Sequence, residues 1–235
     1  FETPCGEGLR LGPPAQSASA QVKTESTELL LPVWAKRLAS GAKRAETAAP
    51  SRAGRGRADL FSPRGDGQKR FRRGRLIHAL LQRLPEAAPE SREAAALRWL
   101  ERQGVEAAEA AALARESLAV INDARFAPVF SLSSRAEAPI IGSVGGKAVS
   151  GIVDRLAIET DRVLVLDFKT DRPAPTDAAL APEGYVLQLA LYRAVLRTIF
   201  PAKAVACALL WTEKPHLMDL PEARLDAALE VFLRG

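Results

Sequence analysis

Four apolar residues, Val163, Leu164, Val165 and Leu166, run directly into an Asp-Phe-Lys triplet at Asp167, Phe168 and Lys169. A run this short and this rich in β-branched residues suits a strand covered on both faces, and therefore the centre of a sheet. Side chains alternate along a strand, so Asp167 and Lys169 share one face while Phe168 turns to the other, toward a core. Thirteen residues before Asp167 stands another acid, Asp154, at the end of an extended segment that turns at about Thr160-Asp161. An antiparallel hairpin there brings Asp154 toward Asp167.

Two converging carboxylates repel and raise each other's pKa unless a divalent cation lies between them. Oxygen ligands of this kind fit Mg²⁺, with Mn²⁺ a second candidate. Such an ion binds a phosphate oxygen and sharpens a water into a nucleophile, which Lys169 beside it can orient. The plainer alternative is a pair of solvated strand-end acids, one of them salt-bridged to a lysine. The doubly covered strand and the second acid one hairpin upstream favour the site.

The flanking sequence sets the scaffold. From about Arg72 to Leu84, residues Leu76, Ile77, Leu80, Leu81 and Leu84 make one helical stripe ended by Pro85, with His78 off to its side. Alanine-rich helices are expected over about Ser91–Arg102, N-capped by Ser91, and Glu106–Asn122. Phe126–Ser133 and Ser134–Ile141 read as extended, the latter turning through Gly142–Gly146 into Lys147–Val153. Glu137 falls in that first strand, either supporting the site or simply exposed. A helix from about Glu183 to Phe200 carries Tyr185, Gln188 and Tyr192, the last two one turn apart on one face. A strand at Lys203–Trp211, a turn at Lys214-Pro215 and a helix at Pro221–Leu233 close the chain; His216 reads as surface.

Residues 1–63, rich in Pro, Gly, Ser, Ala and Arg, read as a tether with one apolar island, Leu31–Leu38, around Trp34. The chain starts at Phe1 without a methionine, as a piece of a longer protein would. Between Arg64 and Arg75 six basic residues face one acid, and the net charge is +5, a hint of a polyanionic partner. Lys69, Arg70, Arg72, Arg73 and Arg75, together with Arg155 beside Asp154, are the candidate nucleic-acid contacts. Cys5 and Cys207 are the only cysteines. They make neither a disulfide framework nor a metal cluster, which fits a reducing, cytoplasmic setting. No apolar run approaches a bilayer span, so no membrane partner is expected. Neither Gly6-x-Gly8 nor Gly146-Lys147 forms a nucleotide loop, so no ATP site is expected.

Taken together, G-R-L-I-H at Gly74–His78, G-I-V-D at Gly151–Asp154, D-F-K-T at Asp167–Thr170 and Q-L-A-L-Y at Gln188–Tyr192 resemble the RecB-like branch of the PD-(D/E)xK nuclease superfamily. The likeness spans about Arg72 to Leu233, and the motifs closely resemble those of the C-terminal nuclease domains of AddA-type helicase–nuclease subunits; the Ala- and Arg-rich composition looks alphaproteobacterial. It implies an α/β, restriction-endonuclease-like core over 64–235, with a mixed central sheet flanked by helices. It also implies that His78, Asp154, Asp167 and the Phe168 carbonyl hold the metal, that Lys169 orients water, and that Gln188 and Tyr192 lie beside the bound strand. The implied activity is exonucleolytic cleavage of the 3′-terminated DNA strand in double-strand-break repair by homologous recombination. An upstream helicase region and an AddB-like subunit would be its partners. Relatives with an iron–sulfur cluster use four cysteines, which two cannot supply. A catalytically idle docking module and a stand-alone nuclease of phage or CRISPR context are the alternatives.

Overall fold

The structure, a computed structural model, describes residues 2–3, 6–7, 47–50 and 66–234, the side chains of 2–3, 6–7, 47 and 66–70 excepted. The island at Leu31–Leu38 and Cys5 lie outside the described residues. The chain divides into two compact units, Phe1–Lys43 and Arg44–Gly235. In the first, β1 (Glu2–Thr3) pairs antiparallel with β2 (Gly6–Glu7).

The second unit runs β3 (Thr47–Ala48), α1 (Asp66–Arg83), α2 (Arg92–Arg102), α3 (Ala107–Ile121), β4 (Ser134–Val144), β5 (Lys147–Ile158), β6 (Arg162–Lys169), α4 (Glu183–Ile199), β7 (Ala204–Trp211), β8 (His216–Asp219) and α5 (Glu222–Arg234). β6 is central, as its apolar run requires: it pairs antiparallel with β5 and parallel with β7, and β8 closes that side antiparallel to β7. Val163 and Val165 pack toward α4 and α5, whereas Leu166 and Phe168 pack toward α1 and α3, so the sheet is the middle layer of three. The crossover from β6 through α4 to β7 is the βαβ unit that parallel strands need.

β5 has three neighbours. β4 occupies one edge along most of its length, so β3 at Ala148–Val149 and β6 at Arg155–Ile158 must both use the other edge. Between them, on that edge, residues 150–154 face no strand among the described residues. That gap, where β5 parts from β6, is a cleft in the sheet.

Several expectations need correction. Phe126–Ser133 is not extended: Ala124–Phe130 is a 3₁₀ run, started by the Asp123 carboxylate accepting from Arg125 N–H at 3.0 Å, which tucks Phe126 and Val129 into the core. Gly142–Val144 stay in β4, and only Gly145 and Gly146 turn, with φ of +57° and +76°. Positive φ at both central positions is the two-residue hairpin that matches strand twist. Ser91 occupies the N-cap of α2 without capping it, since its hydroxyl donates to the Ala88 carbonyl; the helix capped by a side chain is α3, by Glu106. α1 begins at Asp66, six residues before the expected start, so much of the basic run is helix. β8 was not expected: Leu217 and Met218 are too few to show a period. Thr47–Ala48, inside the stretch read as a tether, adds a short strand to the sheet.

Candidate active site

Asp154 lies inside β5 rather than at its end, at the point where β5 leaves β6. The Phe168 N–H has lost its ladder partner on that side and donates to Asp154 Oδ2 at 2.8 Å instead. The carboxylate thus stands in for a missing strand and is fixed across the gap. His78 approaches from α1, its Nδ1 3.4 Å from the same Oδ2, and its ring packs edge-on against Phe168 at 5.8 Å. Burial pulls the His78 pKa down, but the hydrogen bond and charge of Asp154 outweigh it and hold it above its ordinary value.

Asp167 is 4% exposed and faces α4, as the alternation along β6 requires. Gln188 Nε2 donates to its Oδ1 at 2.8 Å, and Lys169 Nζ lies 2.5 Å from its Oδ2. That ammonium is the one partner of Oδ2 among the described residues. Burial raises the Asp167 pKa, with the Asp154 charge adding to it and Lys169 opposing. Lys169 Nζ also donates to Gln188 Oε1 at 3.4 Å, and it sits 3.7 Å from the centroid of the Tyr185 ring.

Tyr192, one turn beyond Gln188, is 1% exposed and fills the gap in the sheet from behind, its hydroxyl donating to the Ile152 carbonyl at 2.9 Å. Burial pushes its pKa up to about 12, so it stays a neutral donor. Only a glycine fits opposite it: a Cβ on Gly151 would fall 2.7 Å from the ring. Glu137 stands across from Asp154 in the register of β4 on β5, with φ of +49°. A left-handed glutamate costs about 1–2 kcal/mol. Burial and the neighbouring Asp154 raise its pKa.

Three acids and one ammonium therefore surround a cleft with excess negative charge. Among the described residues no three His, Cys, Asp or Glu side chains form a ready cage. Mg²⁺ does not require one, since it takes one or two carboxylates and completes its shell with water and phosphate oxygens. The buried Asp167 carboxylate, the nearby Asp154 and Glu137 and the repulsion between these acids fit such a cation.

The basic residues divide. Arg155 is buried on the α1 side of the sheet and not presented to solvent: it is 6% exposed, donates to the Leu81 carbonyl and lies over the Phe130 ring. Arg73 is likewise committed to structure, binding the Thr170 carbonyl and the Glu116 carboxylate. Arg72 ties α1 to the carbonyls of Gln103 and Gly104. Arg75 is exposed over Phe71. The side chains of Lys69 and Arg70 lie outside the described residues. Sequence reasoning missed Glu116, whose partly buried carboxylate also accepts from Arg172 at 2.8 Å and Thr212 at 2.6 Å, gathering α1, α3 and both strand ends behind the site. A lone glutamate in an alanine-rich helix carries no signal of this.

The sequence profile of the PD-(D/E)XK nuclease superfamily matches residues 50–231. The chain belongs to that superfamily. Its members are typically metal-dependent nucleases that use divalent ions such as Mg²⁺. Comparison with curated proteins finds no match. A solved structure titled "Crystal structure of SSO0001" aligns over 83% of this chain and 80% of its own, with 13% identity and a TM-score of 0.32, too distant to carry any argument. Among the described residues no helix is long and apolar enough to cross a membrane.

Proposed function

We propose that this PD-(D/E)XK domain is a Mg²⁺-dependent deoxyribonuclease acting on single-stranded DNA. The observation that carries the reading is the meeting of Asp154, Asp167 and Lys169 at one cleft, each held by a second group: Asp154 by Phe168 N–H and His78, Asp167 by Gln188, Lys169 by Gln188 and Tyr185. Asp154 and Asp167 would hold the cation, with His78 and the Phe168 carbonyl at its margin. When bound, the ion supplies Lewis acidity toward a phosphate oxygen and lowers the pKa of a water.

The protein's own groups do the rest. Lys169 orients the attacking water and offsets charge developing on the phosphate. Gln188 fixes the Asp167 carboxylate and Lys169 together. Tyr192 keeps β5 in register with α4. The resemblance to AddA-type nuclease domains supports the finer reading: an exonuclease that takes a 3′-terminated strand from an upstream helicase region, leaves 5′-phosphate products, and works with an AddB-like subunit in recombinational double-strand-break repair.

The test is loss of label from end-labelled single-stranded DNA with Mg²⁺, Mn²⁺ or EDTA, for wild type, Asp167→Ala and Lys169→Ala. The reading expects metal-dependent loss of label that both substitutions abolish. Full activity in Asp167→Ala would sink it.

A further inference from the structure

The ammonium of Lys169 is enclosed on three sides: Asp167 Oδ2 at 2.5 Å, Gln188 Oε1 at 3.4 Å and the face of Tyr185 at 3.7 Å. Its side chain is 11% exposed, so water cannot replace a lost neighbour freely. The three neighbours respond differently to a divalent cation. A carboxylate engaged by a dication attracts an ammonium far less, and the dication itself repels it. Gln188 is already spending its amide N–H on Asp167, so its carbonyl oxygen alone is left for Lys169. The aromatic face, whose attraction for a desolvated cation comes from the ring quadrupole, is untouched by what Asp167 binds.

Tyr185 is also held firmly enough to serve as a platform. Its hydroxyl donates to Asp171 Oδ2, its backbone N–H donates to the Pro182 carbonyl at the start of α4, and its ring leans on Trp211 at 6.3 Å. The Q-x-x-x-Y spacing does not include it.

We propose, resting on the nuclease reading above, that Tyr185 is a positioning residue for Lys169: its ring face retains the ammonium beside the cleft when Asp167 turns to the metal. The ring and not the hydroxyl performs this, since the contact is with the face. Lys169 then stays in reach of the attacking water in place of swinging away from the ion.

The test uses the full 235-residue chain with isotopically labelled lysine, the Lys169 resonance being assigned by its absence in Lys169→Arg. Stacked over a ring, the Lys169 side-chain protons resonate upfield. The upfield position is expected both without metal and in saturating Mg²⁺, to be lost in Tyr185→Leu and kept in Tyr185→Phe. In cleavage, Tyr185→Leu lowers kcat by about tenfold with KM and Mn²⁺ affinity little changed, and Tyr185→Phe restores most of the rate. A Lys169 resonance that returns to its solvent position when Mg²⁺ is added overturns the proposal and leaves the nuclease reading standing. Equal rates in Tyr185→Leu and wild type also overturn it. A wild type that neither binds Mn²⁺ nor cleaves overturns the nuclease reading and this proposal with it.

Discussion

Gly151→Ala tests how the sheet gap is filled. The new methyl would lie 2.7 Å from Tyr192 Cε1, 2.8 Å from its hydroxyl oxygen and 3.2 Å from Cζ. Ordinary carbon contact is about 3.5–4.0 Å, so the ring must retreat by roughly 1 Å. It has nowhere to go, being enclosed in the core among residues such as Leu189 and Val195. Overpacking of this kind costs about 1–3 kcal/mol. Loss of the Tyr192 hydroxyl bond to Ile152 adds about 1 kcal/mol, and the stiffer unfolded chain returns about 0.4–1 kcal/mol. The net loss is about 1–3 kcal/mol, or a Tm lower by roughly 2–12 °C for a domain of this size. Urea unfolding gives the number directly. In Gly151→Ala/Tyr192→Leu the clash is relieved, so the double variant should be less destabilised than the sum of the singles by about 0.5–3 kcal/mol. Additive singles, or a Gly151→Ala midpoint equal to wild type, would refute the packing argument.

Other expectations concern charge. Without metal, the raised pKa values of His78, Asp167 and Glu137 all have one sign: a base raised by its partner and acids raised by burial both stabilise the fold as protons are added. The metal-free domain should therefore gain stability as pH falls from about 8 toward about 5, and saturating Mg²⁺ should flatten or reverse that slope, as thermal melts at each pH will show. At a Mg²⁺ concentration of 100 times Kd the ion should add about 2.7 kcal/mol, read as a rise in Tm that EDTA reverses. Arg155→Met, replacing a buried guanidinium that makes no ion pair among the described residues, should leave the urea midpoint equal or higher and DNA binding unchanged; weaker DNA binding in a gel-shift titration would mark Arg155 as a contact. Glu116→Ala, removing the acceptor that Arg73, Arg172 and Thr212 share behind the site, should cost about 1–3 kcal/mol by urea unfolding, and a loss below about 0.5 kcal/mol would show the cluster to be incidental.

What the sequence shows most clearly is what one strand writes into consecutive residues. The run Val163–Leu166 announces β6 and its central place, and the alternation from Asp167 to Lys169 fixes which side chains face the cleft. The Gln188–Tyr192 spacing places both on the sheet-facing side of α4. What it hides depends on partners far along the chain. Phe126 and Val129 are apolar enough for a strand, but Asp123 and Pro128 turn that segment into a 3₁₀ run. Arg155 looks available beside Asp154, yet the alternation that aims Asp154 into the cleft aims Arg155 under Phe130. Glu116 gathers Arg73, Arg172 and Thr212 from segments up to 96 residues away, which no local pattern reports. β3 and β8 are too short to carry a period at all.

The most direct test of the account is a Mn²⁺ titration of wild type and Asp167→Ala, followed by the electron paramagnetic resonance signal of the free ion. If Asp154 and Asp167 form the cation site, wild type binds Mn²⁺ saturably, Mg²⁺ displaces it, and the substitution abolishes binding while the domain stays folded. Equal binding by the two proteins, or none by either, would contradict the claim that this carboxylate pair is built to hold a metal.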